Sequence, residues 1–181
     1  MHFSVTAVPP VTLVTPQVFG DARGYFMETY HAEKFRDASI PDVFVQDNQS
    51  RSVAGTLRGL HYQLAPAAQG KLVRCLHGSI LDVAVDIRRS SPTFKHWVSA
   101  ELSDENKHQL WVPPGFAHGF LVLSESADVA YKCTNVYAPE LERFIAWNDP
   151  DIGIDWPVAA PVLSDRDAAA PMLADQPDLP A

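Results

Sequence analysis

The sequence predicts an all-β protein, a jelly-roll sandwich or barrel with a few short helices, on three observations. Its apolar residues fall in short runs rich in β-branched and aromatic side chains. Turn signals such as Gly20-Asp21, His77-Gly78, Ser91-Pro92 and Pro113-Pro114-Gly115 separate the runs, and most of the 15 prolines lie between them. Only two segments read as helical. Many short strands at such spacing are the pattern of a sandwich or barrel.

In chain order the strand-like runs cover residues 11–14, 25–30, 43–48, 57–63, 71–76, 79–87, 97–102, 109–112, 116–123 and 129–137. Residues 31–38 read as a helix, and a second helix follows Ser164, whose hydroxyl suits an N-cap. The run 79–87 tests strand alternation best. Leu81, Val83, Val85 and Ile87 share one face; Ile80, Asp82, Ala84 and Asp86 share the other. Two readings of that second face stand open: a half-exposed strand with its carboxylates in water, or a strand lining a polar barrel interior. In 116–123, Phe116, His118 and Phe120 share a face, so a buried His118 requires a polar partner. No repeat or Gly/Ser-rich linker divides the chain, which reads as one domain, with residues 168–181 as a flexible tail carrying Pro171, Pro177 and Pro180.

With 181 residues, 46% hydrophobic and 10% aromatic, the chain can build a substantial core, which excludes a disordered or disulfide-stapled design. No apolar run approaches the ~18 residues of a membrane span. The first ten residues lack a basic region followed by an apolar stretch, so no secretory route is expected. Cys75 and Cys133 lie inside apolar runs and read as buried free thiols of a cytoplasmic protein. The net charge of −8, from 14 basic and 22 acidic residues, argues against nucleic acid and anionic membranes as partners. It leaves room for a small anionic ligand held by a few clustered arginines.

The stretch Arg58-Gly59-Leu60-His61-Tyr62-Gln63 sets a cation and an imidazole on one strand; Lys71 opens the next and Tyr131 lies on a later one. A base, a cation and a phenol together make a proton-transfer set. The alternative for a single strand histidine is a hydrogen-bonded structural role. Strict alternation sends Arg58 and His61 to opposite faces, unless Gly59 marks a bulge that re-aims them. His31, His77, His96 and His108 lie at or near loops, and no His-x-His, Cys-x-x-Cys or His-Glu-x-x-His spacing occurs, so no metal is expected. With no glycine-rich nucleotide fingerprint, a diphosphate falls to side chains such as Arg23, Arg58, Lys71 and Arg166.

Several longer blocks resemble one known family. These are FGDARGYFMETY (19–30), QDNQSRS (46–52), RGLHYQ (58–63), KLVRCLHGSILDVAVDIRRSSPTF (71–94), QLWVPPGFAHGFLVLSE (109–125), YKCTNVYAPELE (131–142) and WNDPDIGIDWP (147–157). Together they closely resemble the dTDP-4-dehydrorhamnose 3,5-epimerases over residues 19–167. The resemblance implies a cupin-type jelly roll, a homodimer and a reaction without metal or organic cofactor. It also implies a substrate, dTDP-4-dehydro-6-deoxy-D-glucose, and a product, dTDP-4-dehydro-L-rhamnose, on the way to activated L-rhamnose for cell-surface polysaccharides.

By the same resemblance His61 is the base, with Asp167 its dyad partner and Asp82 the alternative acid. Lys71 stabilises the enolate oxygen and Tyr131 returns a proton to the opposite face. The protons at C3 and C5 flank the C4 ketone, so enolate formation acidifies both. Arg23, Glu28, Gln46, Asp47 and Asn48 resemble binding residues; Arg58, His118, Glu142 and Arg166 resemble sugar and diphosphate contacts. Tyr137 resembles an aromatic stacked on thymine, and Phe19 and Phe26 add apolar wall. The opening strands of the family reach into the partner subunit, so Arg23 and Glu28 are expected to serve a neighbour's site.

Overall fold

Two antiparallel sheets face one another in a computed structural model that describes residues 1–40 and 43–181. The first sheet orders β1 (His2–Val5), β2 (Thr12–Thr15), β10 (Gln109–Val112), β7 (Lys71–His77), β12 (Ser126–Cys133) and β5 (Gln46–Val53). The second orders β13 (Glu142–Phe144), β6 (Leu57–Gln63), β11 (Phe116–Val122), β8 (Ser79–Asp86) and β9 (Trp97–Ser103). A separate hairpin joins β3 (Val18–Asp21) to β4 (Gly24–Met27), and two short helices, α1 (Ala32–Asp37) and α2 (Asp165–Ala168), complete the elements used below. The predicted β-sandwich with small helical additions is what forms. Among the described residues no helix is long and apolar enough to cross a membrane.

The core between the sheets takes Val73, Cys75 and Val129 from one wall and Ile80, Ala84, Phe116 and Phe120 from the other. The outer face of the second sheet buries Leu57, Leu60, Val83, Val85 and Leu121 under Ile145, Ile152, Trp156 and Leu173. Strand β8 is therefore covered on both faces, which resolves the open reading of its carboxylates in favour of the interior. Each fully buried aliphatic side chain there contributes about 1.5–3 kcal/mol. Asp82 and Asp86 are both wholly buried. Burial pushes the Asp86 carboxyl up, but hydrogen bonds from Arg88, Ser91 and Thr93 outweigh it and hold the group at about 2.

Several boundaries differ from the sequence reading. Strand β5 runs to Val53 instead of ending at 48 because its polar string lacks an apolar face: Gln46, Asn48, Ser50 and Ser52 alternate with outward residues. Strands β1, β3 and β13 carry no signal in the sequence, being three or four residues long and partly exposed. Strand β12 starts earlier, at Ser126, and ends at Cys133, where Thr134 turns its amide to Gly70. Residues 168–181, expected to be flexible, are instead docked. The Tyr62 hydroxyl donates to the Asp178 carbonyl at 2.6 Å, Arg143 pairs with Asp178 at 3.0 Å, and Leu173 is buried. This tail covers the apolar face that β6 turns away from the core.

Candidate active site

One register irregularity makes the site possible. Strand β11 pairs with β6 so that His118 faces His61 and Phe120 faces Arg58, three residue steps on β6 against two on β11. The extra residue is the bulge that Gly59 left open in the sequence, and it brings Arg58 and His61 to the same side. Gly59 has φ of +140°, and a Cβ there would come within 2.5 Å of Gly119 Cα, so only glycine fits.

A cavity of about 220 Å³ opens there, lined by Gln46, Asn48, His61, Gln69, Lys71, Tyr131, Tyr137 and Glu142. Its walls come from both sheets. His61 stands on β6 of the second sheet, whereas Lys71 and Tyr131 stand on β7 and β12 of the first. Lys71 faces Cys133 in register and Tyr131 faces Asn48, which groups these side chains on one wall.

The His61 Nε2–H donates to Asp167 Oδ1 at 2.5 Å. Asp167 is buried at the start of α2, where Ser164 caps the helix as expected: its Oγ accepts from the Asp167 amide and donates to Asp167 Oδ2 at 2.7 Å. Burial pushes the Asp167 carboxyl up, but the hydrogen bonds of His61 and Ser164 and the His61 charge outweigh it and hold the group low. An ionised carboxylate orients the imidazole and stabilises its protonated form.

His118 is buried, and its ring donates to Asp82 Oδ1 at 2.8 Å. Asp82 therefore belongs to His118 and not to His61. Desolvation pulls the His118 pKa down despite the Asp82 carboxylate, with Lys71 and His61 adding repulsion. Desolvation likewise pulls the Lys71 ammonium down and pushes the Tyr131 phenol up, while Arg58 lowers the latter. Arg58 itself donates to Ser52 Oγ at 3.0 Å.

The remaining predicted residues divide in two groups. Gln46, Asn48, Tyr137, Glu142 and Arg166 gather at the cavity: Tyr137 donates to Glu142 Oε2 at 2.8 Å, Arg166 donates to the same oxygen at 3.1 Å, and Gln46 Oε1 accepts from the Tyr137 amide at 2.8 Å. Asp47 points to the outer face of its sheet and pairs with Lys132 at 3.0 Å. Arg23, Phe26 and Glu28 do not join this cavity. Arg23 pairs with Asp21 in the exposed β3–β4 hairpin, Phe26 is 70% exposed, and Glu28 pairs with Lys34 at 2.6 Å. Phe144, whose ring packs on His61, escaped the sequence reading because its strand has three residues and no periodicity to read. Among the described residues no three His, Cys, Asp or Glu side chains form a metal-ligand group.

Comparison with known proteins gives a consistent result. The family model described as dTDP-4-dehydrorhamnose 3,5-epimerase matches residues 5–175. The dTDP-4-dehydrorhamnose 3,5-epimerase of Pseudomonas aeruginosa is 57% identical over 171 residues, 93% of this chain and 94% of that one. The protein of that name from Shigella flexneri is 56% identical over 168 residues, 92% and 93% of the two chains. The crystal structure of a dTDP-6-deoxy-D-glucose-3,5-epimerase from Legionella pneumophila, in complex with dTDP-4-keto-L-rhamnose, is 50% identical and superposes with a TM-score of 0.94 over 99% of this chain and 97% of that one. With a matching sequence over nearly its whole length and the same sandwich, the chain belongs to the dTDP-4-dehydrorhamnose 3,5-epimerase family.

Proposed function

We propose that the chain is a dTDP-4-dehydrorhamnose 3,5-epimerase that inverts C3 and C5 of dTDP-4-dehydro-6-deoxy-D-glucose through enolates of the C4 ketone. The observation that carries this reading is the placement of His61 and Tyr131 on opposite walls of one cavity. Inversion needs a base on one face of a carbon and an acid on the other. His61 removes the proton and Asp167 stabilises the imidazolium. Lys71 stabilises the enolate oxygen. The Tyr131 phenol, whose raised pKa keeps it protonated, delivers a proton to the opposite face. The substrate already carries its ketone, so no redox step enters. Arg58, His118 and Arg166 hold sugar and diphosphate, Gln46 and Asn48 line the sugar site, and Tyr137 stacks on the thymine.

A second copy of the chain completes the site. Phe19, Tyr25 and Phe26 are all more than half exposed on the β3–β4 hairpin, a surface suited to burial against another subunit. Through it Arg23, Phe26 and Glu28 serve the neighbour's cavity. The chain works in the cytoplasm, where Cys75 and Cys133, both buried and unpaired, stay reduced.

Incubation with the 4-keto sugar nucleotide in heavy water tests the reaction. Deuterium at both C3 and C5, with an L-rhamnose nucleotide after reduction at C4, is the expected result. Label at one carbon alone means a single-centre epimerase, and no label in folded protein overturns the catalytic reading. For the shared site, mixing inactive Arg23→Ala and His61→Asn proteins restores activity only if the two residues meet across subunits.

A further inference from the structure

We infer that Phe144 is a positioning residue for the proton transfer, its ring packing against both the His61 imidazole and the Arg166 guanidinium. The inference rests on the reading of His61 as the base.

Strand β13 has three residues, and alternation divides them. Glu142 and Phe144 face the site, whereas Arg143 turns to Asp178 in the docked tail. Phe144 lies directly opposite His61 in the β13–β6 register. The two rings meet at 4.9 Å between centroids and 73° between planes. The Arg166 guanidinium carbon sits 4.7 Å from the centroid of the same ring, while an Arg166 N–H is held by Glu142 at 3.1 Å. Arg166 is the neighbour of Asp167, so one aromatic ring steadies both the base and the segment that carries its carboxylate. From behind, the Gln176 side-chain amide donates to the Phe144 carbonyl at 2.9 Å, which anchors the strand.

Chemistry gives a reason for an aromatic here. During turnover His61 alternates between neutral and protonated forms. A hydrogen-bonding neighbour competes with Asp167 for Nε2 in one form or the other. A phenyl ring offers no such competition and packs against both forms, while restricting rotation of the imidazole. The other ring nitrogen thereby stays aimed into the cavity.

The full-length protein carrying Phe144→Leu, which keeps bulk but loses the ring, tests this beside Phe144→Tyr, which keeps the ring. For Phe144→Leu, kcat on dTDP-4-dehydro-6-deoxy-D-glucose is expected to fall about 3- to 10-fold. Its KM and its affinity for dTDP should stay within about twofold, because Glu142 still holds Arg166. Phe144→Tyr should recover most of kcat. An unchanged kcat in Phe144→Leu overturns the inference. So does a parallel loss of kcat, dTDP affinity and thermal stability in both variants, which marks a purely structural residue. His61→Asn, assayed alongside, separates the two readings. Normal turnover there sinks the base assignment and this inference with it. An inactive His61→Asn beside a fully active Phe144→Leu removes the role of Phe144 alone.

Discussion

His61 with Asp167 and His118 with Asp82 are the same chemical pair, an imidazole on a carboxylate, and the β11–β6 register sets the two imidazoles opposite one another. Their surroundings separate them. His61 is about one quarter exposed and lines the cavity, while its carboxylate is satisfied a second time by Ser164. His118 is buried, and its partner Asp82 is wholly buried with Oδ2 lacking a hydrogen-bond partner among the described residues. Desolvation pulls His118 toward the neutral form, and its ring is not among the side chains that line the cavity. The lesson is that a histidine–carboxylate dyad acquires its role from access and from the second hydrogen bond, not from the pair itself.

Applying one substitution to both pairs tests that difference. Asp167→Asn should lower kcat roughly 10²–10⁴-fold and leave dTDP affinity within about threefold, read by steady-state assay and calorimetry. Asp82→Asn keeps the shape of its pair, so a loss of no more than about tenfold, carried mainly by KM, is expected. If Asp82→Asn proves the more damaging to kcat, the two roles are exchanged. Ser164→Ala removes both the cap and the second hydrogen bond on Asp167. Thermal or denaturant unfolding should show a loss of about 1 kcal/mol, with a kcat loss smaller than that of Asp167→Asn.

The gentlest effect is on the pH dependence of stability. The folded chain holds the His118 proton less readily than the unfolded chain, whose ordinary value is 6.5. Its contribution is therefore fully present above that value and declines as pH falls below it. His118→Gln removes this term, so the stability curve of the variant between pH 7 and pH 5 should be flatter than that of the parent. A parallel pair of curves means that His118 does not resist protonation.

Strand faces were legible in the sequence, because they follow from a local period of two. The division of 79–87 into an aliphatic face and an Asp82 face holds, as does the shared face of Phe116, His118 and Phe120. Ser164 was legible as a cap, a feature decided within a few residues, whereas the bulge that Gly59 left open was settled only by the β11–β6 register. The three-residue β13 was not legible, and neither was the second half of the polar strand β5, whose inner face looks into a cavity instead of an apolar core.

Which partner each group takes is a different kind of question. Asp82 and Asp167 were both available to His61 on sequence grounds, and the choice between them depends on a contact spanning 106 positions. It depends also on the register that turns Asp82 to His118. The same holds for the tail, whose prolines suggest flexibility until β6 presents an apolar face for Leu173 to cover. From the sequence came most of the longer strands and their faces, the buried thiols and the chemical types at the site. The pairing of histidine with carboxylate came from the folded sandwich, because side-chain alternation is a property of a few consecutive residues, whereas a dyad is closed by residues that the whole sandwich must bring together.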